Sequence, residues 1–452
     1  MYFKNQKFLV AGLSRSGKDS AEFLLKRGAQ VYLYDDVVGD TVRRNVEELE
    51  LKGAKYVHPS VLDDVINECD VLVLSPGIPI DNRLPVSFRK AGKNIIGEEE
   101  LASLYLRATA VAVTGTNGKT TTVSMIDRVI NACKIKSVAC GNVGNPLINE
   151  VDNLTYDDVA VVEISSFQLE TLSSLKPHVA VITNVTEDHL NRHYNMENYI
   201  FLKSKLLRFL RESEFAVLNY DDPITKSMAS KTKGRIKYFS VKEKVDGAYF
   251  KDGAIWVDDY EYIKVDEMLV SGIHNVYDAL ACVVVAEILG LDRLTVRNAL
   301  ATFKGVKFRL ETIATVDGVT YINDSKATNV DATCVAISNV KQETILLLGG
   351  KDKGYDYCAL FKRIADSSVV HVILYGENRF KLMDGAKSVG YENFSTCQNF
   401  YYAVEFAKMI AKSGQTVLFS PASSSFDEFS NYEERGEAFN ALVVKPNENK
   451  IA

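Results

Sequence analysis

The sequence lacks an excess of positive charge: 53 lysines and arginines stand against 59 aspartates and glutamates, a net charge of −6. A broad basic surface for nucleic-acid phosphates is therefore disfavoured, whereas a local basic pocket for a small phosphate ligand is not. Paired cysteines are also missing. The seven present (Cys69, Cys133, Cys140, Cys282, Cys334, Cys358 and Cys397) lie scattered with no C-x-x-C pair. That pattern suits a reducing compartment better than a disulfide framework. No run of 18 apolar residues occurs, and the richest stretch, residues 279–291, contains Glu287. The opening Met1–Lys7 shows no apolar leader region. Short-period repeats and low-complexity linkers are absent too. The expectation is a soluble, cytoplasmic, monomeric protein that binds neither nucleic acid nor membrane.

What the sequence does contain is enough apolar material, 46% of its residues, for several buried cores. At 452 residues, it has the length of roughly three domains. Short apolar strands alternate with amphipathic helices, the signature of parallel α/β layers. One series holds the strands Phe8–Ala11, Val31–Asp35 and Val71–Leu74, with a helix from Ser20 to Arg27. A second holds Val111–Val113, Val159–Ile164 and Val179–Val185. A third holds Val319–Ile322, Thr344–Leu348, Val369–Tyr375 and Thr416–Phe419. The acidic turn Gly97–Glu100 and the aperiodic segment Phe303–Arg309 are the expected boundaries. The fold class is thus α/β in three domains, 1–98, 99–305 and 306–452.

The sharpest signal is Val111-Ala112-Val113-Thr114-Gly115-Thr116-Asn117-Gly118-Lys119-Thr120-Thr121. A strand runs into a glycine-rich turn and then a helix with Val123, Ile126, Val129, Ile130 and Cys133 on one face. Small residues there let backbone N–H groups converge on phosphate oxygens at a helix N-terminus. Lys119 would reach the β- and γ-phosphates, and the Thr120 hydroxyl would ligate Mg²⁺. Val113 stands where the longer phosphate loop has glycine, so the match is to the short G-x-x-G-K-T form.

Glu163 ends the strand Val159–Val162, where a carboxylate suits Mg²⁺ beside phosphates; the alternative is a cap for the following helix. His189 follows the strand Val179–Val185 and is either a metal ligand or a hydrogen-bonded structural residue. Lys203 lies on the apolar stripe Tyr199, Leu202, Leu206, Phe209 and Leu210, while Lys205 and Arg208 point away from its centre. On such a face a lysine either snorkels to water or, if buried, loses basicity and becomes nucleophilic.

A weaker motif is Gly12-Leu13-Ser14-Arg15-Ser16-Gly17, followed by Asp35 at the end of the second strand. It resembles the dinucleotide fingerprint, but Ser14 replaces the glycine that admits a dinucleotide pyrophosphate. NAD and FAD are disfavoured, and a nucleotide-diphosphate site stays open. Ser75-Pro76-Gly77-Ile78-Pro79, after Val71–Leu74, would form another lip of that site.

With these residues the chain resembles the Mur ligase family of ATP-dependent amide ligases, from Gly12 to Gly436. The segments that carry the resemblance are Thr114–Thr121, Glu163–Gln168, Asn184–His189, Gly272–Asn275, Asn323–Asn329 and Leu348–Gly350. Within the family, Ser14–Gly17, Ser75–Pro79 and Ser420–Asp427 point to D-glutamate as the amino acid added. No Asp-Asn-Pro-Arg motif of the diamino-acid-adding branch is present. The resemblance implies a Rossmann-like N-terminal domain, a P-loop-type central ATPase domain and a Rossmann-like C-terminal domain. It implies D-glutamate, ATP and UDP-N-acetylmuramoyl-L-alanine as substrates and two Mg²⁺ ions. It gives Gly115 to Thr121, Asn275, Arg309, Asp324 and Lys326 to ATP, and Lys119, Glu163, His189 and Lys203 to catalysis. Ser14, Arg15, Ser16, Asp35, Ser75, Gly77, Asn142 and His189 would serve the UDP substrate, and Thr328, Lys353, Ser425 and Phe426 the D-glutamate. Thr120, Glu163, His189 and a carbamylated Lys203 would hold the metal.

Three positions depart from the family pattern. Asp278 stands where asparagine is usual, Phe308 where histidine precedes the nucleotide arginine, and Tyr432 where a phenylalanine lines the amino-acid pocket. Two rivals exist. A folylpolyglutamate synthase-like ligase needs a pterin site that the first-domain loops argue against. A P-loop NTPase that moves a partner leaves Lys203 and Ser425 without a role.

Overall fold

Runs such as Val159-Ala160-Val161-Val162 are apolar at every position, so both faces of the strand need a cover of helices. In the computed structural model, which describes residues 3, 6–36, 39–352 and 354–444, such strands gather into three sheets. The chain divides into two compact units, Met1–Phe303 and Lys304–Ala452.

The larger unit holds two sheets. The first is parallel throughout and consists of β1 (Lys7–Ala11), β2 (Gln30–Tyr34), β3 (Lys55–Tyr56), β4 (Val71–Leu74) and β5 (Asn94–Ile96). Its order is β3-β2-β1-β4-β5. The winding reverses between β1 and β4, which opens a crevice at their carboxyl ends. The second sheet is built from β6 (Thr109–Thr114), β7 (Ser137–Gly141), β8 (Val159–Glu163), β9 (Val179–Ile182), β10 (Phe215–Asn219), β11 (Arg235–Ser240), β12 (Gly247–Lys251), β13 (Ala254–Val257) and β14 (Tyr260–Lys264). Its order is β14-β13-β12-β11-β10-β9-β6-β8-β7. Neighbours from β7 to β12 run parallel, and β13 and β14 add an antiparallel edge. Here β6 sits between β8 and β9, so the loop after β6 emerges at a second crevice flanked by their ends. The helix Lys119–Ala132 buries Val123, Ile126, Val129 and Ile130 as its spacing requires, while Cys133 is half-buried just past its end.

The smaller unit has one sheet of β15 (Glu311–Val316), β16 (Val319–Asn323), β17 (Thr344–Gly349), β18 (Val369–Tyr375), β19 (Phe394–Thr396) and β20 (Thr416–Phe419). Its order is β15-β16-β20-β17-β18-β19, antiparallel only between β15 and β16.

The strands expected from apolar runs form, with small shifts at their ends. The first helix starts earlier than expected, at Arg15, because its first turn is polar and carries no apolar period to read. Strand β9 stops at Ile182, and residues Thr183–Val185 turn to support the neighbouring loop. Strands β3, β5, β7, β10 to β15 and β19 fall outside the expected set; some are very short, and others such as Arg235–Ser240 mix charged and apolar residues, though Phe215–Asn219 is apolar and buried. Gly97–Glu100, expected as a boundary, opens a helix Glu98–Ser103 whose three glutamates are buried. Glu100 accepts hydrogen bonds from the Ser173 and Ser174 amides at 2.6 and 2.8 Å. Among the described residues no helix is long and apolar enough to cross a membrane.

Candidate active site

The phosphate loop is held from beside it. Thr116 N–H donates to Asn184 O at 2.9 Å, Asn117 N–H donates to Asn184 Oδ1 at 2.9 Å, and the Thr183 hydroxyl donates to Asn117 O at 2.6 Å. These bonds fix the loop before any ligand arrives, which lowers the ordering cost of binding. Gly118, at φ +84°, begins the helix with no side-chain cap, so the first-turn N–H groups remain for an anion. A Cβ at Gly118 would stand 2.4 Å from Asp278 Oδ1, so the close approach and the left-handed backbone both require glycine.

Around this loop the structure brings together Lys119, Thr120, Asn142, Glu163 and Lys203, all read from the sequence. Lys119 Nζ donates to Gly115 O and Thr116 O at 3.0 and 2.8 Å. The Thr120 hydroxyl donates to Glu163 Oε2 at 2.7 Å, and Asn142 Nδ2 donates to Glu163 Oε1 at 2.7 Å. Glu163 is thus a buried carboxylate at the end of β8, not an N-cap; Ser165 caps the next helix with Gln168 in a capping box. Lys203, 1% exposed, does not snorkel: its Nζ donates to Gly115 O at 2.7 Å. Burial pushes its pKa well down and the Lys119 charge adds to this, while Asp188 and Glu163 oppose them. Its amine lies 4.6 Å from the centroid of Tyr199, whose hydroxyl is 3.1 Å from Thr116 Oγ1. Lys205, off the centre of the stripe, is half-buried and donates to Leu169 O.

His189 takes a left-handed backbone, φ +56°, and its ring meets Phe167 edge-on at 4.7 Å. Its Nε2 is 3.4 Å from Asp188 Oδ2. Asn275 is half-buried and donates through Nδ2 to Ser271 O at 2.7 Å. Asp278, one of the departures, accepts from the Thr122 hydroxyl at 3.0 Å and so sits behind the phosphate loop.

The first crevice collects the other motif. Gly12, at φ +84°, follows β1, and a Cβ there would stand 2.5 Å from Ser75 Cβ, so the two loops meet as lips of one site. Asp35 Oδ2 accepts from Leu13 N–H at 2.7 Å, tying the end of β2 into the loop. Ser14 is exposed at the N-cap, Ser16 lies in the helix's first turn, and Arg15 donates to Asn145 Oδ1 at 2.6 Å.

In the smaller unit, residues after β16 and β20 converge. Asp324, buried, accepts from Leu310 N–H at 3.1 Å and from the Ser420 hydroxyl at 2.7 Å. Burial pushes its pKa up to about 6, with the Arg309 charge opposing. Lys326 donates to the Tyr432 hydroxyl at 2.7 Å, and its amine sits 4.1 Å from that ring's centroid. Tyr432 therefore offers Lys326 a hydroxyl acceptor that a phenylalanine lacks, beside a ring face that either residue would present. Phe308 is buried against Gly436, a packing role with no nitrogen to offer. Thr328 is half-buried, Ser425 is buried and Phe426 is 68% exposed; Lys353 lies outside the described residues. The sequence reading missed Arg435, fully buried, which donates to Ser325 Oγ, Ser325 O and Ser423 O at 3.1, 2.9 and 3.0 Å.

The donor set suits Mg²⁺: a threonine hydroxyl and a carboxylate offer hard oxygens beside a phosphate cradle. Among the described residues no three His, Cys, Asp or Glu side chains cluster as a metal cage.

A mostly parallel sheet with a glycine-lysine-threonine loop at its switch point and a buried carboxylate beside it has the architecture of a P-loop-type nucleotide-binding protein. The chain matches the Mur ligase middle domain over residues 113–286 and the domain described as "Mur ligase, glutamate ligase domain" over residues 308–423. It is 38% identical over 452 residues to the UDP-N-acetylmuramoylalanine--D-glutamate ligase of Thermoanaerobacter sp. (strain X514), covering 98% of this chain and 99% of that one. It is 37% identical over 448 residues to the protein of the same name from Clostridioides difficile (strain 630), covering 97% and 98%. Its fold is similar to that of UDP-N-acetylmuramate-alanine ligase from Thermotoga maritima, with a TM-score of 0.64, 20% identity and coverage of 97% and 99%. The chain belongs to the Mur ligase family and is an ATP-dependent ligase.

Proposed function

We propose that the chain joins D-glutamate to the L-alanine carboxylate of UDP-N-acetylmuramoyl-L-alanine with cleavage of ATP, a step of peptidoglycan precursor synthesis. One observation carries this reading: a preformed phosphate loop whose Gly115 carbonyl receives both Lys119 and the buried Lys203, with Thr120 bonded to Glu163 beside it. Full-length similarity to ligases of that name supports the choice of substrates.

The γ-phosphoryl group passes to the substrate carboxylate, giving ADP and an acyl phosphate. The free amine of D-glutamate then attacks the carbonyl carbon, and phosphate leaves as the amide forms. Lys119 and the helix N-terminus stabilise the charge that gathers on the transferred group. Thr120, Glu163, His189 and a carbamylated Lys203 would hold Mg²⁺, which when bound offsets the repulsion between carboxylate and phosphates. Asn275, Arg309, Asp324 and Lys326 are assigned to the nucleotide. Thr328, Lys353, Ser425 and Phe426 are assigned to D-glutamate. Ser14, Arg15, Ser16, Asp35, Ser75, Gly77, Asn142 and His189 are assigned to the UDP substrate. Domain limits of 1–98, 99–305 and 306–452 accompany these assignments. The proposed substrates are water-soluble, and the enzyme is taken to act in the cytoplasm as a monomer.

The acyl phosphate has an isotopic signature. With ¹⁸O in the L-alanine carboxylate, one ¹⁸O is expected in the released phosphate, read by mass spectrometry. Phosphate free of the label would show that the carboxylate is never phosphorylated.

A further inference from the structure

Arg192 lies three residues after His189 in the short helix Leu190–His193, and nothing in the chemistry described so far uses it. Its side chain is 11% exposed and its donors converge on two targets. Nη2 donates to Ile78 O at 2.9 Å and Pro76 O at 3.4 Å, and Nη1 donates to Gly77 O at 3.5 Å. The other target is Glu170, itself 7% exposed, reached by Nε at 3.1 Å and Nη2 at 2.7 Å. One guanidinium therefore gathers three consecutive carbonyls of the turn that forms the Ser75 lip. The opposite side of that turn faces Gly12, so the residues that shape the crevice are held from behind.

The same residue is bound into the other site. Its guanidinium lies 5.0 Å from the centroid of Phe167, and Phe167 meets the His189 ring at 4.7 Å. The next residue, His193, stacks on Tyr199 at 5.5 Å, one turn before Lys203 on its helix. A planar, permanently charged fork suits this position, because no other side chain satisfies a carboxylate and three carbonyls together. Removing it takes from the Glu170 carboxylate its two guanidinium hydrogen bonds and leaves the His193 ring at 3.6 Å as its neighbour, which disfavours the present geometry.

We infer that Arg192 is a positioning residue for the UDP substrate: it fixes the Pro76–Ile78 turn and ties that turn to the element bearing His189. This rests on the reading that the Gly12–Ser75 crevice takes the UDP portion. Without the strap the turn loses its one shape, so UDP-substrate binding weakens while the phosphate loop, held separately by Thr183 and Asn184, keeps its nucleotide affinity.

The test uses the full-length enzyme with Arg192→Gln and, as a gentler variant that keeps a charged donor, Arg192→Lys. In Arg192→Gln the KM for UDP-N-acetylmuramoyl-L-alanine is expected to rise tenfold or more. The KM for ATP should stay within twofold and kcat should fall less than fivefold. Arg192→Lys should lie between it and the wild type. Hydrogen exchange, which needs no substrate, should show residues 75–80 exchanging at least tenfold faster in Arg192→Gln, with residues 115–121 unchanged. An unchanged KM for the UDP substrate, or equal rises for all three substrates, overturns the inference, as does unchanged exchange at 75–80. If the wild-type enzyme does not turn over the UDP substrate at all, the proposed function falls, and the exchange result still decides whether Arg192 holds the turn.

Discussion

Replacing Lys203 with alanine is expected to lower ligase activity by at least a hundredfold, and acetate or formate is expected to restore part of it. A buried amine this close to Lys119 is disfavoured as an ammonium ion, since burial and the neighbouring charge both push its pKa well down. The neutral amine is the form that adds to carbon dioxide: the nitrogen lone pair bonds the carbon, one proton leaves, and a carbamate carboxylate results. Such a carbamate would place a negative oxygen donor beside Lys119, where an ammonium ion is disfavoured, and would be able to hold Mg²⁺. Two controls separate this role from packing. Lys203→Met fills the same volume and should be as inactive as alanine, and both variants should keep nucleotide binding within about tenfold. Rescue should depend on a small carboxylate and fail with chloride at equal ionic strength. Full activity in Lys203→Met would remove the residue from the chemistry.

Lys119→Ala is expected to abolish formation of the acyl phosphate, with a loss of about a thousandfold or roughly 4 kcal/mol of barrier stabilisation. The ammonium group lies on the Gly115 and Thr116 carbonyls, over the loop that would receive the phosphates. A positive charge fixed there stabilises the transferring group without reorganising during the step. Thr120 and Glu163 are bonded to each other and do not depend on Lys119, so the fold should be unaffected. Rapid-quench measurement of ADP with UDP substrate but without D-glutamate isolates this half-reaction. A normal burst in the variant would refute the role of Lys119.

The phosphate loop was legible because its function is local. Gly115, Gly118, Lys119 and Thr120 are contiguous, and their geometry follows from a strand feeding a helix. Lys203 was legible through its period, since a lysine four residues after Tyr199 falls on the buried stripe, but its partner Gly115 was not. The bonds that position these groups join distant segments: Asn184 and Asn117 are 67 residues apart, and Arg192 and Ile78 are 114 apart. No periodicity in a single sequence encodes such pairings. Asp278 illustrates a related difficulty. It stands where the family has asparagine, and it packs behind Gly118 and bonds Thr122. Arg435 was hidden for a similar reason, because a charged residue on a polar helix gives no sign of being fully buried until Ser325 and Ser423 close around it.

The most direct measurement is the mass of the product formed from ATP, UDP-N-acetylmuramoyl-L-alanine and a panel of D- and L-amino acids, with ADP counted in parallel. Expected is a product heavier by one glutamyl residue, formed with D-glutamate and not with L-glutamate, at one ADP per amide. A different preferred amine, or ADP released steadily with no amino acid present, would contradict it.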